Sequence, residues 1–132
     1  MDGAGGRVRD EQVGLLMLDD FKHVNTVFEH PGGDRALELI AGCLRKSSRT
    51  GDVPAWLGGD EFAVLLRGAD PHRMSALAER LLETVRLGSS VRISVGWTTG
   101  TDGGDTLLHD ADTALAEAKR GGKNRALAAT RT

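Results

Sequence analysis

One cysteine in 132 residues excludes a disulfide framework and any metal site built on a set of cysteines. Cys43 falls within an apolar pattern of helical spacing and reads as a small core residue. No excess of one charge exists either: 17 Lys and Arg against 19 Asp and Glu give a formal net charge of −2 and a pI near 6.1. Without a broad basic field, nonspecific nucleic-acid binding is excluded as the main role, and any phosphate recognition has to be local. Long hydrophobic runs are also missing. The apolar stretches are of strand length, too short to cross a bilayer, and no charged leader precedes a segment of secretory type. The expectation is a soluble cytoplasmic protein with no nucleic-acid and no membrane partner. Neither an internal repeat nor a heptad array is present.

What remains suits one domain, since a chain of 132 residues can bury a single core without disulfides or structural metal. Residues 1–12, polar and glycine-rich, are expected to form a flexible arm, residues 13–126 the domain, and residues 127–132 a flexible tail. Val13–Leu18 is a continuous apolar run ended by Asp19 and Asp20, the pattern of a central strand covered on both faces. After Gly32 and Gly33, the positions Ala36, Leu37, Ile40, Cys43 and Leu44 follow helical spacing, and Asp34 lies near the amino end, where a carboxylate suits the helix dipole. Val53–Leu57 and Phe62–Leu66 read as strands of an antiparallel hairpin, with Pro54 favouring an edge. Asp70 and Pro71 offer an N-cap and a first helical residue to a helix whose face is Met74, Leu77, Leu81 and Val85. Val91–Trp97 alternates as a strand. Thr106–Arg120 carries Leu108, Ala111, Leu115 and Ala118 at helical spacing before Gly121 and Gly122 stop it. This order predicts an α/β palm-like sandwich, a central mixed antiparallel sheet flanked by helices.

The hairpin turn holds the most informative residues, Gly58-Gly59-Asp60-Glu61-Phe62. Glycines let phosphate approach the main chain, and neighbouring carboxylates can hold a hard divalent cation such as Mg2+ against a triphosphate. The same five residues also suit an ordinary solvated turn. The rest of the chain has to discriminate.

With Leu57 before it, the pentapeptide resembles the signature of the GGDEF family, the diguanylate cyclases. Phe21-Lys22-His23-Val24-Asn25 is similar to that family's FKxxN element, and Asp34 follows Asn25 by nine residues, as its second base-recognition residue should. Ser94-Val95-Gly96 resembles the SIG strand, Ala111–Leu115 the ADxAL helix, and Ala118-Lys119 through Lys123-Asn124-Arg125 the closing element. The resemblance covers roughly residues 13–125. It implies that Asn25 and Asp34 read the guanine edge and that Lys22, Lys119 and Lys123 contact phosphates beside Gly58 and Gly59. It further implies Asp60 as a metal ligand, with Glu61 a second ligand or an aid to proton transfer. Arg49 and Asp52 form an RxxD element, with Arg80 in support; the resemblance implies a product-inhibition site there for cyclic di-GMP. Amide and carboxylate chemistry agree with these roles, although Asn25 and Asp34 equally suit a turn and a helix start.

The pattern also departs from the family. Its first metal ligand would fall on Met17, which cannot hold magnesium; a second alignment, with two residues deleted from the turn, makes Asp19 the ligand instead. Trp56 stands for an arginine, Thr26 for an aspartate, Glu29 for a glycine and Ala116 for a tyrosine. The family's opening helix finds no counterpart in the polar residues before Val13, a loss expected to uncover apolar surface and invite a partner. Three functions stay open. The favoured one is a degenerate GGDEF module that binds GTP or cyclic di-GMP, with weak or no cyclase activity, and acts through a homodimer or another protein chain. The others are an active diguanylate cyclase, joining two GTP into cyclic di-GMP with release of pyrophosphate, and a ligand-free dimerisation module.

Overall fold

Alternation along the first strand sorts its side chains into two layers. β1 (Val13–Asp19) sends Leu16 and Leu18 into one hydrophobic cluster and Leu15 and Met17 into another on the opposite face. The computed structural model describes residues 13–19, 31–47, 52–58, 61–89, 92–101 and 104–129. Within them the remaining elements are α1 (Pro31–Ser47), β2 (Val53–Gly58), β3 (Glu61–Arg67), α2 (Pro71–Gly88), β4 (Ser94–Gly100), α3 (Gly104–Arg120) and β5 (Arg125–Ala128). The sheet runs β2-β3-β1-β4-β5, so the apolar β1 is central, as its pattern predicts. All pairings are antiparallel except β4 with β5, which α3 connects as a crossover. The expected α/β sandwich, a mixed sheet flanked by helices, is therefore observed.

On one face, α1 and α2 bury Ile40, Leu44, Met74, Leu81 and Val85 against Leu16, Leu18, Val64 and Val95. Burying each such side chain contributes roughly 1.5–3 kcal/mol. Cys43 belongs to this cluster, and burial pushes its thiol pKa up, so it serves as a small apolar residue. On the other face α3 lays Leu107, Ala111 and Leu115 over Leu15, Met17 and Ala63. Leu107 rather than Leu108 takes the buried place, because it continues the four-residue step through Ala111 and Leu115; Leu108 is exposed. Gly96 sets the depth of that layer. A Cβ there would run into the backbone of Leu115 and the carbonyl of Ala111.

Capping explains the helix ends. Asp70 accepts a hydrogen bond from the Arg73 amide at 2.8 Å, with Pro71 in the first turn, as the sequence predicts. Past α3, Gly122 turns left-handed at φ 120°, the Lys123 amide reaches the Ala118 carbonyl, and the Gly122 amide that of Lys119. Pro54, which has no amide hydrogen to donate, lies on the edge strand β2. Two further features differ from the sequence expectation. The strand expected over Val91–Trp97 runs Ser94–Gly100, since its pairing with β1 extends to Val13 opposite Gly100. β5 goes unannounced by the sequence: it is four residues long, half-exposed, and depends on a parallel partner brought by the crossover helix.

Candidate functional site

The turn end of the β2–β3 hairpin meets the carboxyl-terminal half of α3 at a cleft of about 220 Å³. Glu61, Asp112, Leu115, Ala116, Lys119 and Arg120 line it. Helical spacing explains the grouping: Asp112, Ala116 and Lys119 succeed one another on one side of α3. Lys119 and Arg120 also occupy the last turn of the helix, where cations are favoured by the exposed carbonyls. Glu61 opens β3 opposite Gly58, just beyond a register irregularity between Trp56 and Gly58 that bends the hairpin end. Two carboxylates and two cations thus share one cleft, a mixture that suits a polyanion carried with a divalent cation. At about 220 Å³ the cleft is smaller than the usual small-molecule pocket. Ala116, where the family resemblance asks for tyrosine, is one of the residues leaving it open.

Met17 belongs to the apolar layer under α3, together with Leu115 of the cleft lining. It faces the α3 layer, only 3% exposed, opposite Ala63 of β3 and Gly96 of β4. Asp19 ends β1 opposite Ser94, one residue past the Leu18–Phe62 pair, while Glu61 begins β3. Of the expected site residues, the structure brings Glu61 and Lys119 together. Lys123 sits just past α3, exposed, outside the cleft lining and left-handed at φ 63°. With Asn124 at φ 51° it forms two successive non-glycine residues in a conformation that costs energy and recurs at functional sites. Gly58 closes β2, and Asp34 lies in the first turn of α1. Lys22, Asn25, Arg49, Gly59 and Asp60 lie outside the described residues, as do the side chains of Asp19 and Asp34. Among the described residues, no group of three or more His, Cys, Asp or Glu is arranged to hold a metal.

The open end of the hairpin is built differently. Asp52 precedes β2 with its side chain 1% exposed, and its Oδ2 accepts from Arg73 Nη2 at 2.8 Å. Its Oδ1 accepts the Arg67 amide at 3.2 Å. Arg73 Nη2 also donates to the Ser47 carbonyl at the end of α1 at 3.2 Å, and Arg80, two turns further along α2, donates to Ser47 Oγ at 3.3 Å. Asp52 and Arg80 are therefore drawn toward one place, the carboxyl end of α1. Arg80 further borders a larger cleft, about 520 Å³, between α2 and β5 and away from Glu61. Sequence reasoning missed Arg73. A signal was present, because a cation in the first turn of a helix opposes the dipole unless a specific partner holds it. Asp112 and Arg120 were also missed as cleft residues; their helical spacing from Ala116 could have placed them.

The family model described as diguanylate cyclase, GGDEF domain, matches residues 5–125. The chain belongs to the GGDEF family. Diguanylate cyclase DgcP of Pseudomonas aeruginosa is 36% identical over 126 residues, covering 88% of this chain and 19% of its own. Across the curated relatives it matches, this GGDEF domain spans between 19% and 35% of their length. The solved GGDEF domain of YfiN from P. aeruginosa superposes with a TM-score of 0.77 at 32% identity, covering 99% of this chain and 88% of that one. That of DgcB from Caulobacter crescentus, solved in complex with c-di-GMP, gives a TM-score of 0.71 at 27% identity, covering 96% and 81%. The GGDEF sheet and its helices are thus shared with these domains. Among the described residues of this one, no helix is long and apolar enough to cross a membrane.

Proposed function

We propose that this chain is a guanine-nucleotide-binding GGDEF domain of cyclic di-GMP signalling whose cyclase activity is weak or absent. Met17 carries that reading. One of the two alignments asks for a metal-binding aspartate at this position, and here a thioether is sealed into the apolar layer under α3; the other leaves Asp19 as the ligand on a shortened turn. Magnesium selects hard oxygen ligands, which a thioether does not replace. The carboxylates that would hold the cation are Asp60 and Asp19, joined by Glu61 at the cleft. Bound there, Mg2+ would offset the charge of the triphosphate and acidify an attacking hydroxyl. Lys119 supplies positive charge to the phosphates from the cleft wall, with Lys22 and Lys123 completing that field. Gly58 and Gly59 leave the backbone open to the phosphates, while Asn25 and Asp34 take the edge of the base.

Cyclisation joins two GTP held by two facing protomers, so an active site of this kind is complete only in a homodimer. With another protein chain in the second place, the domain binds nucleotide and signals without turnover. One observation favours the active reading instead: Glu61 and Lys119 still share a polar cleft at the hairpin turn. Calorimetry with GTP and Mg2+, and separately with cyclic di-GMP, followed by chromatography of the GTP mixture, separates these readings. Binding without product supports the proposal, and sustained formation of cyclic di-GMP and pyrophosphate replaces it with an active cyclase. Absence of binding and of any ligand-induced thermal shift leaves the ligand-free dimerisation module.

A further inference from the structure

Positive charge gathers where α3 ends. Lys119, Arg120, Lys123 and Arg125 fall within seven residues of a chain whose formal net charge is −2. Lys119 and Arg120 line the cleft at the hairpin turn beside Glu61 and Asp112. Of these two cations Arg120 stands at the rim: its side chain is 69% exposed, whereas Lys119 is half-buried. Its guanidinium lies 3.9 Å from the exposed Glu117 carboxylate, a pairing worth little in water. Among the described residues it forms no ion pair with Glu61 or Asp112, although both carboxylates border the same cleft. We propose that Arg120 binds the terminal phosphate of GTP and sets a preference of this domain for the triphosphate over shorter guanine nucleotides. This rests on the reading of the cleft as the phosphate end of a guanine-nucleotide site.

Helical geometry gives the guanidinium a path. Asp112, Ala116 and Arg120 follow one another at four-residue steps along one side of α3. Side chains on a helix lean toward its amino end, so the Arg120 stem leads back over Ala116, which contributes only a methyl group. A large side chain at that position would fill the path, and alanine leaves it open to the cleft. The exposed carbonyls at the end of α3 favour a cation there in any case, which explains the sign of the charge but not its place beside the cleft. The terminal phosphate suits this residue best. It carries more charge and more unbridged oxygens than either inner phosphate, and a pair of those oxygens matches the planar fork of a guanidinium. A residue at the rim also meets the end of a phosphate chain rather than its middle.

The test is calorimetric titration of GTP, GDP and GMP, each with Mg2+, into the full chain and into its Arg120→Gln, Ala116→Phe and Lys119→Ala variants. Arg120→Gln is expected to weaken GTP about tenfold and to change GDP and GMP by less than about twofold, so that the preference for the triphosphate shrinks in step. Ala116→Phe, which blocks the path but keeps the charge, is expected to show the same selective loss. A loss in Arg120→Gln that is equal for the three nucleotides, or that grades evenly from GMP through GDP to GTP, is the mark of a general field and overturns the contact. Unchanged affinities in Arg120→Gln, with GTP binding lost in Lys119→Ala, also overturn it while leaving the nucleotide site in place. A lower melting temperature in Arg120→Gln with no change in selectivity assigns the residue to the helix end alone, against the proposal. If the wild-type chain binds none of the three nucleotides, the reading of the cleft and this inference fall together.

Discussion

The two ends of the β2–β3 hairpin treat a carboxylate in opposite ways. At the turn end, Glu61 lies half-buried at a cleft shared with Lys119, Arg120, Asp112 and Leu115, the last of which also belongs to the apolar layer that contains Met17. At the open end, Asp52 is almost wholly buried and committed to Arg73 and to the Arg67 amide. A charged group left at a cleft is available to a ligand; one paired inside the protein contributes to the fold first. The same hairpin thus presents a polar cleft at one end and a closed ion pair at the other, and the two should fail differently when mutated.

The largest effect is expected from Asp52→Ala. It leaves the Arg73 guanidinium buried without its charge partner, which costs about 3–5 kcal/mol. Urea denaturation measures this, and GTP affinity at the turn end should hold. A stability change within roughly 0.5 kcal/mol, as for surface substitutions, would erase the difference between the two ends. Next comes Lys119→Ala. Loss of one charged contact to phosphate is worth about 2 kcal/mol, roughly 30-fold in GTP affinity, with little change in melting temperature. Calorimetry on that variant checks it, and unchanged affinity would remove the cleft from the nucleotide site. The smallest effect belongs to Met17→Leu, a volume-conserving change in the apolar layer under α3, expected to cost under about 1.5 kcal/mol and to leave nucleotide binding intact. A large loss of GTP affinity in this variant, followed by the same titration, would mean that the thioether itself touches the ligand.

How legible this was depended on how local each cause is. The central position of β1 follows from Val13–Leu18 being apolar without alternation, and the α2 start follows from Asp70-Pro71, because both signals lie in neighbouring residues. The GGDEF turn likewise stands in one pentapeptide. β5 escaped because four half-exposed residues carry no period of their own; its partner is β4, brought alongside only after α3 has packed. Leu107 and Leu108 both fit a helical step before Ala111, and only the position of the sheet chose the first. Arg73 and Asp52 are 21 residues apart and belong to different elements, so their pairing is a property of the fold rather than of any motif. The cleft was partly legible. Lys119 was named from its motif, whereas Asp112 and Arg120 join it through the helical face they share.

The central claim, that the turn end of the hairpin holds a guanine nucleotide through its carboxylates and a cation, is tested most directly by titrating GTP with Mg2+ into the wild-type chain and into Asp60→Ala. The account predicts binding to the wild type that weakens at least about tenfold in the variant and falls likewise when Mg2+ is chelated. Equal affinity in the two proteins, indifferent to the cation, would contradict it.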